Sequence, residues 1–133
     1  MGKYGVVFTT FEDEQQAKDV IDEIIRCKLA ACAQEIKIKS HYTWKGNLCH
    51  EDEVLVLLKT RKELYPDLEK KLLEIHPYET PEILFVDVEC RSAAYLAWID
   101  EQTQRWLKLR ESVVIFMFKK IKEYIKIYKL ETI

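Results

Sequence analysis

Residues 34–60, QEIKIKSHYTWKGNLCHEDEVLVLLKT, contain the pattern that decides the fold. The first part alternates with a period of two, which is typical of a β-strand with one face turned to the core. Lys45, Gly46 and Asn47 then favour a tight turn, since glycine and asparagine tolerate unusual backbone angles. A second strand follows, so the sequence predicts one long hairpin. The side chains predicted to share one face of the first strand are Ile36, Ile38, Ser40, Tyr42 and Trp44.

A strand and a helix are predicted before this hairpin. Residues 4–10, YGVVFTT, are rich in β-branched and aromatic residues, which favours a strand. Helical spacing follows, and either Thr10 or Asp13 can cap the start of that helix. The predicted apolar stripe of the helix consists of Ala17, Val20, Ile21, Ile24, Ile25 and Leu29.

A second helix is predicted over residues 61–75, where apolar side chains recur about every four positions. Its start is open to two interpretations. Thr60 and Glu63 fit a capping box, which places the first turn directly after the strand. Pro66 favours a later start at Tyr65–Pro66, because proline is tolerated in the first turn of a helix.

The remaining elements complete the plan. Residues 82–89, EILFVDVE, predict a strand, and residues 92–109 predict a third helix. The order β-α-β-β-α-β-α is that of an α+β, ferredoxin-like βαββαβ sandwich with a C-terminal helix and an extra tail. We expect residues 1–110 to form one domain. Residues 111–133 are predicted to be a helical extension that belongs to the same domain or to a subunit interface.

Composition excludes several classes of protein. The 133 residues are 48% hydrophobic and 33% charged with a net charge of −2, which describes a globular chain without the positive field of a nucleic-acid-binding protein. No secretory leader pattern opens the chain, and no apolar run approaches the roughly 18–20 residues that span a bilayer. The four cysteines show no C-x-x-C spacing, so we expect reduced thiols and a cytoplasmic location.

The predicted strands are apolar on both faces. Residues 54–58, 83–86 and 6–8 are runs without polar alternation, although helices of this plan cover only one face of the sheet. Self-association is one way to cover the second face, and symmetric homo-oligomers are the commonest form. The third helix and the tail are the alternative cover.

Five sequence blocks resemble the family of CutA-type divalent-cation tolerance proteins. They occur in the order typical of that family, between about Val6 and Asp100. The resemblance implies a ferredoxin-like fold and a homotrimer whose long hairpins reach neighbouring subunits. It also implies an association with tolerance of copper and other divalent ions. The blocks are KLAACAQ at 28–34, YTWKGNL at 42–48, EDEVLVLLKT at 51–60, IHPYETPEIL at 75–84 and YLAWI at 95–99.

His76 is the strongest candidate ligand for copper or another divalent cation, because imidazole is a common donor for such ions. Some family members carry a histidine and a cysteine where this chain has Ile75 and Thr9, which cannot replace those ligands. The alternative is a structural hydrogen-bonding role at a helix end. Donors that a trimer interface could add are Glu79, Glu82 and His41.

A second set of residues resembles those that meet at the subunit clefts of the family. Aromatic walls with one cation and one carboxylate are suited to a small anion or metabolite. The alternative is interface packing, with an ion pair between Lys59 and Glu79. The cleft set is Tyr42, Trp44, Lys59, Tyr78 and Glu79.

Catalysis is not expected. Cys49 and His50 are strand neighbours, so their side chains point to opposite faces and cannot form a dyad. The sequence therefore predicts a non-enzymatic trimer associated with copper or divalent-ion tolerance. The alternative is a trimeric signalling or small-molecule-binding module that uses intersubunit clefts.

Residues 111–133 lie beyond the resembling blocks and carry five basic and three acidic residues. The simpler expectation is packing on the same or a neighbouring subunit. The alternative is peripheral contact with a membrane surface through a cationic, apolar helix.

Overall fold

The computed structural model describes the backbone of residues 2–89 and 92–127. Within the last helix it describes the side chains of residues 93–103 and 115–123. The α+β plan and its antiparallel four-stranded sheet are confirmed. The elements are β1 Tyr4–Phe11, α1 Glu14–Arg26, β2 Cys32–Trp44, β3 Asn47–Arg61, a 3-10 helix at Lys62–Leu64, α2 Tyr65–Ile75, β4 Leu84–Val88 and α3 Ala93–Ile127.

The predicted hairpin is formed by β2 and β3, which pair antiparallel from Cys32↔Lys59 to Trp44↔Asn47. Lys45 and Gly46 alone form the turn, with φ angles of 50° and 80°. Two successive positive φ values define the turn type whose twist matches that of the flanking strands. Asn47, predicted to lie in the turn, is the first residue of β3.

The sheet has the order β2-β3-β1-β4, with helices packed on one face. Asp13, one of the two residues predicted as caps, caps α1 by accepting a 2.8 Å hydrogen bond from the Gln16 backbone N–H. Both crossover helices bury their apolar stripes against the inner strands. The core on this helix face contains Val7, Phe11, Ala17, Val20, Ile24, Ala30, Val54, Val56, Leu58, Leu68 and Leu72.

The capping box predicted for α2 is wrong, and the later start is confirmed. Thr60 lies inside β3, and its hydroxyl donates a 2.7 Å hydrogen bond to the Leu29 carbonyl oxygen. Glu63 pairs instead with Arg61. The α-helix begins at Tyr65 with Pro66 in its first turn. A tertiary contact therefore occupies the hydroxyl that the local pattern assigned to a cap.

The third helix is longer than predicted, since α3 continues without a break to Ile127. Contacts divide the chain between Thr103 and Gln104, so α3 contributes to two compact units. In the first unit, Ile99 and Thr103 are buried. The side chains that the structure describes do not include those of Trp106, Leu107, Tyr124, Ile125 and Tyr128.

The face of the sheet opposite α1 and α2, called here the open face, is covered by α3 at one end. There Tyr4 donates a 2.8 Å hydrogen bond to Asp100. Arg61 donates one of 2.9 Å to Thr103 Oγ1. Away from this end the face exposes apolar side chains: Ile36 is 49% exposed, Leu84 55% and Val86 47%. The first unit by itself therefore leaves an apolar surface in water.

Candidate functional site

A cavity of about 700 Å³ lies beside the hairpin, where the loop after α2 approaches the open face. Four members of the predicted cleft set line it within a single chain, namely Tyr42, Trp44, Tyr78 and Glu79. The other lining residues are Thr10, Ser40, His41, Glu51, Glu53, Pro77, Thr80 and Glu82.

Tyr78 fixes the loop to the sheet at the floor of this cavity. Its hydroxyl donates a 2.7 Å hydrogen bond to Glu53 Oε2, and the Glu53 residue is only 8% exposed. Burial raises the pKa of Tyr78, and the Glu53 carboxylate raises this pKa further. The phenol therefore stays protonated and supplies the donor that a buried carboxylate requires.

Tyr42 and Trp44 form the more exposed wall of the cavity. They occupy alternate positions of β2, so their side chains lie on the same face of the sheet, the open face. A hydrogen bond with the Glu51 carboxylate, together with partial burial, raises the pKa of Tyr42 to about 12. Both aromatic side chains remain more than one-third exposed, so their rings are accessible to a ligand.

The charge of the cavity differs from the expected combination of one cation and one carboxylate. Lys59 lies over the ring of Tyr95, 5.6 Å from its centroid, and is not among the lining residues. Any role of Lys59 at the cavity would require a neighbouring subunit, and this part stays a prediction. The described lining contains no Lys or Arg, so its field favours a cationic ligand over an anion. Its carboxylates are Glu51, Glu53, Glu79 and Glu82.

His76 is buried at the end of α2 and is bound through both ring nitrogens. Nδ1 accepts a 3.1 Å hydrogen bond from the Tyr78 backbone N–H, which leaves Nε2–H to donate to Thr9 Oγ1 at 3.1 Å. The ring stacks on Phe11 with a centroid distance of 4.5 Å. Burial lowers the pKa of His76, so the neutral imidazole is the favoured form.

These contacts give His76 the structural role that was the alternative to metal binding. A metal ion would have to replace one of the two hydrogen bonds of the ring. Glu79 is exposed nearby, but the described residues contain no group of three or more His, Cys, Asp or Glu side chains suited to a metal ion. The metal-ligand role of His76 and Glu79 stays a prediction.

One pair of residues was missed at the sequence level. His41 and His50 lie directly opposite each other across the hairpin, with the two Nδ1 atoms 2.6 Å apart. The signal was present in the sequence, because a two-residue turn at Lys45 and Gly46 determines every cross-strand pair of the hairpin.

The extension predicted for peripheral membrane contact is helical from residue 111 to Ile127. Lysines at 119, 120 and 122 lie among exposed apolar side chains. Among the helices that the structure describes, none has the length and hydropathy to cross a bilayer. Membrane-surface contact stays a prediction. The exposed apolar residues are Ile115, Phe116, Met117, Phe118 and Ile121.

The fold and the cavity define an α+β protein of the split βαβ plan, with a binding-type cleft beside a long hairpin. Residues 5–102 match the family model of the CutA1 divalent ion tolerance protein. The chain belongs to this family, which confirms the resemblance found in the sequence.

Relatives from distant organisms support the assignment. The divalent-cation tolerance protein CutA of Pyrococcus horikoshii is 35% identical over 75% of this chain and 98% of its own length. The human protein CutA is 35% identical over 77% of this chain, but the match spans only 58% of the human protein. The crystal structure of CutA1 from Oryza sativa has a TM-score of 0.74 at 30% identity, covering 78% of this chain and 96% of that one.

The stability of the chain should depend on pH through His76. The folded state lowers the pKa of His76, so the unfolded chain binds this proton more readily. The contribution of the neutral His76 ring to the free energy of unfolding is fully present above the ordinary histidine pKa of about 6.5. It is lost as the pH falls toward the lower pKa of His76 in the folded state. Between about pH 7.5 and about pH 5.5, the free energy of unfolding should fall more in the wild type than in His76→Gln. Urea unfolding at the two pH values measures this difference. Equal slopes in the wild type and His76→Gln would contradict the expectation.

Tyr78→Phe should lower the free energy of unfolding by about 1–3 kcal/mol, because it leaves the buried Glu53 carboxylate without its donor. The matched control is Tyr42→Phe, which removes the hydroxyl that is hydrogen-bonded to the Glu51 carboxylate at an exposed position. It should lower the free energy of unfolding by less than about 1 kcal/mol. Denaturant titration of both variants gives the comparison. An equal loss of unfolding free energy in the two variants would show that the Tyr78–Glu53 contact stabilises the fold no more than the exposed contact of Tyr42.

Proposed function

We propose that this member of the CutA1 family acts as a homotrimer in tolerance of divalent metal ions, with copper as the ion, and catalyses no reaction. The observation that carries the assembly is the exposed apolar surface of the open face. The match of residues 5–102 to the divalent ion tolerance family supports the link to metal ions. The name of the P. horikoshii relative, a divalent-cation tolerance protein, supports the same link.

The open face supports self-association on energetic grounds. Ile36, Leu84 and Val86 each retain about half of their exposure, and burying a side chain of this size fully is worth about 1.5–3 kcal/mol. β2 is also a 13-residue edge strand, with β3 on one side and no strand of the described chain on the other. Long unprotected edges favour pairing with another chain. Copies that extend this edge and cover the open face satisfy both requirements, and the family resemblance implies three copies.

The copper site of this proposal is weak and lies at the loop after α2. Glu79 and Glu82 contribute carboxylates at the cavity, and His76 contributes an imidazole only if it gives up a hydrogen bond. His41 lines the same cavity within the chain and adds an imidazole, and further donors would come from a neighbouring subunit. Because an incomplete ligand set binds weakly, such a site suits ion tolerance rather than tight storage.

The absence of catalysis and a cytoplasmic location are parts of the same proposal. Cys49 and His50 are consecutive residues of β3, so their side chains lie on opposite faces of the hairpin. Cys27, Cys32 and Cys49 are free thiols, which suits a reducing compartment. Cys90 lies outside the described residues.

A second candidate function is supported by the cavity itself. Tyr42, Trp44 and Tyr78 surround a space with four carboxylates, and aromatic faces attract organic cations. A small-molecule-binding or signalling module would use this cavity for an amine. The two candidates differ in whether a metal ion or an organic cation occupies the same acidic cleft.

Leu84→Glu should disrupt the trimer without unfolding the chain. Light scattering of the wild type should give about three times the 15.9 kDa chain mass, whereas the variant should approach a single chain mass because a buried charge opposes association. Leu73→Glu is the matched control, since Leu73 is 57% exposed on α2 and Leu84 is 55% exposed on the open face. The control should remain trimeric. A wild type with the mass of one chain would overturn the assembly.

Titration calorimetry with Cu²⁺ tests the metal part of the proposal. The wild type should release more heat than His76→Gln or Glu79→Gln, because each variant removes a proposed donor. Identical heats for all three proteins would remove copper from this cleft. Heat from spermidine that Glu79→Gln reduces would then favour the second candidate function.

A further inference from the structure

The hairpin holds two imidazoles edge to face at the surface, where His41 also lines the cavity and His50 does not. His41 of β2 pairs with His50 of β3, and both residues are exposed. The ring centroids are 4.9 Å apart with an interplanar angle of 69°, and the Nδ1 atoms approach to 2.6 Å. Two nitrogen donors therefore converge on one point at the surface.

We propose that His41 and His50 form a bidentate surface site for a late first-row divalent ion, with Cu²⁺ bound more tightly than Zn²⁺. Imidazole nitrogen suits both ions, and copper has the higher affinity for a given set of ligands. The site depends on the hairpin alone. It does not require His76, Glu79 or an assembled trimer.

The geometry needs only a small adjustment to accept an ion. Metal–nitrogen bonds of about 2.0–2.1 Å with angles between about 90° and 109° place two nitrogens roughly 2.9–3.4 Å apart. The observed 2.6 Å separation must therefore open by a few tenths of an ångström. Because both side chains are exposed, rotation about their side-chain bonds provides this change without disturbing the core.

The protonation state of the two neutral imidazoles also permits metal binding. In the free pair, one Nδ1–H donates to the other Nδ1, which accepts. Coordination through both Nδ1 atoms requires the donor ring to carry its proton on Nε2 instead. This is a change of tautomer in a neutral imidazole, so no net proton is lost.

The backbone holds the pair in register. Counting from the Trp44↔Asn47 pair at the turn, alternation makes His41↔His50 a non-hydrogen-bonded pair, the kind whose side chains lie closest in an antiparallel ladder. Within the described chain no third His, Cys, Asp or Glu completes a cluster with them. The remaining coordination positions are thus left to water, and the site is open.

Cu²⁺ and Zn²⁺ titrations of the full-length chain test this proposal. His41→Gln and His50→Gln should each weaken Cu²⁺ binding at this site by roughly a hundredfold, because linking two donors raises affinity by about 10²–10⁴. His76→Gln should leave this site unchanged. Electron paramagnetic resonance of the Cu²⁺ complex should show two coupled nitrogens in the wild type and one in each hairpin variant.

A second measurement needs no substitution. Substoichiometric Cu²⁺ should broaden the ring resonances of His41 and His50 before those of His76, since paramagnetic broadening reports proximity to the ion. Unchanged affinity in both hairpin variants, or first broadening at His76, would overturn the hairpin site. Binding lost only in His76→Gln would do the same while supporting the cleft site of the proposed function, so the two proposals fail separately.

Discussion

The register of the β2–β3 hairpin is the constraint on which the rest of the structure depends. Lys45 and Gly46 adopt positive φ angles, and this two-residue turn fixes every cross-strand pair back to Cys32. A slip of one residue would move each side chain to the other face of the sheet. The turn thereby places Tyr42 beside the cavity on the open face and sets His41 against His50 in the same ladder. Local backbone geometry at two residues thus determines the surroundings of both candidate sites.

The loop after α2 shows why a chemically attractive residue can serve the fold first. His76 holds the end of α2 against β1 through Nε2 and one ring face, and its Nδ1 accepts a hydrogen bond from the Tyr78 backbone N–H in the same loop. Tyr78, two residues later, joins the same loop to Glu53 of β3. These contacts present Glu79 at the rim of the cavity while withholding the imidazole from solvent. A ligand that recruits His76 must compete with contacts that the folded state already makes.

Much of this fold could be predicted from periodicity, because apolar spacing sets both the element type and its buried face. The hairpin follows from local patterns, and these patterns include Asp13 as one of two possible caps of α1 and Pro66 as one of two possible starts of α2. Contacts distant in sequence could not be predicted in this way. The Thr60 hydroxyl is taken by a carbonyl 31 residues away, and Lys59 lies at the end of the sheet near Tyr95 rather than at the cavity. The cavity lacks a described cation because Lys59 lies away from it, and the spacing of motifs along the sequence does not predict this distance.

The location of the cavity on the open face would couple ligand binding to the proposed assembly. The surface that exposes Leu84 and Val86 belongs to the same side of the sheet as Tyr42 and Glu51, by the parity of the strand pairs. Copies that cover the apolar surface also change the solvent access of the carboxylates beside it. Burial strengthens the repulsion among these like charges, and a bound cation relieves it. By thermodynamic linkage, a cation that binds the assembled form more tightly must also stabilise assembly by the same free energy.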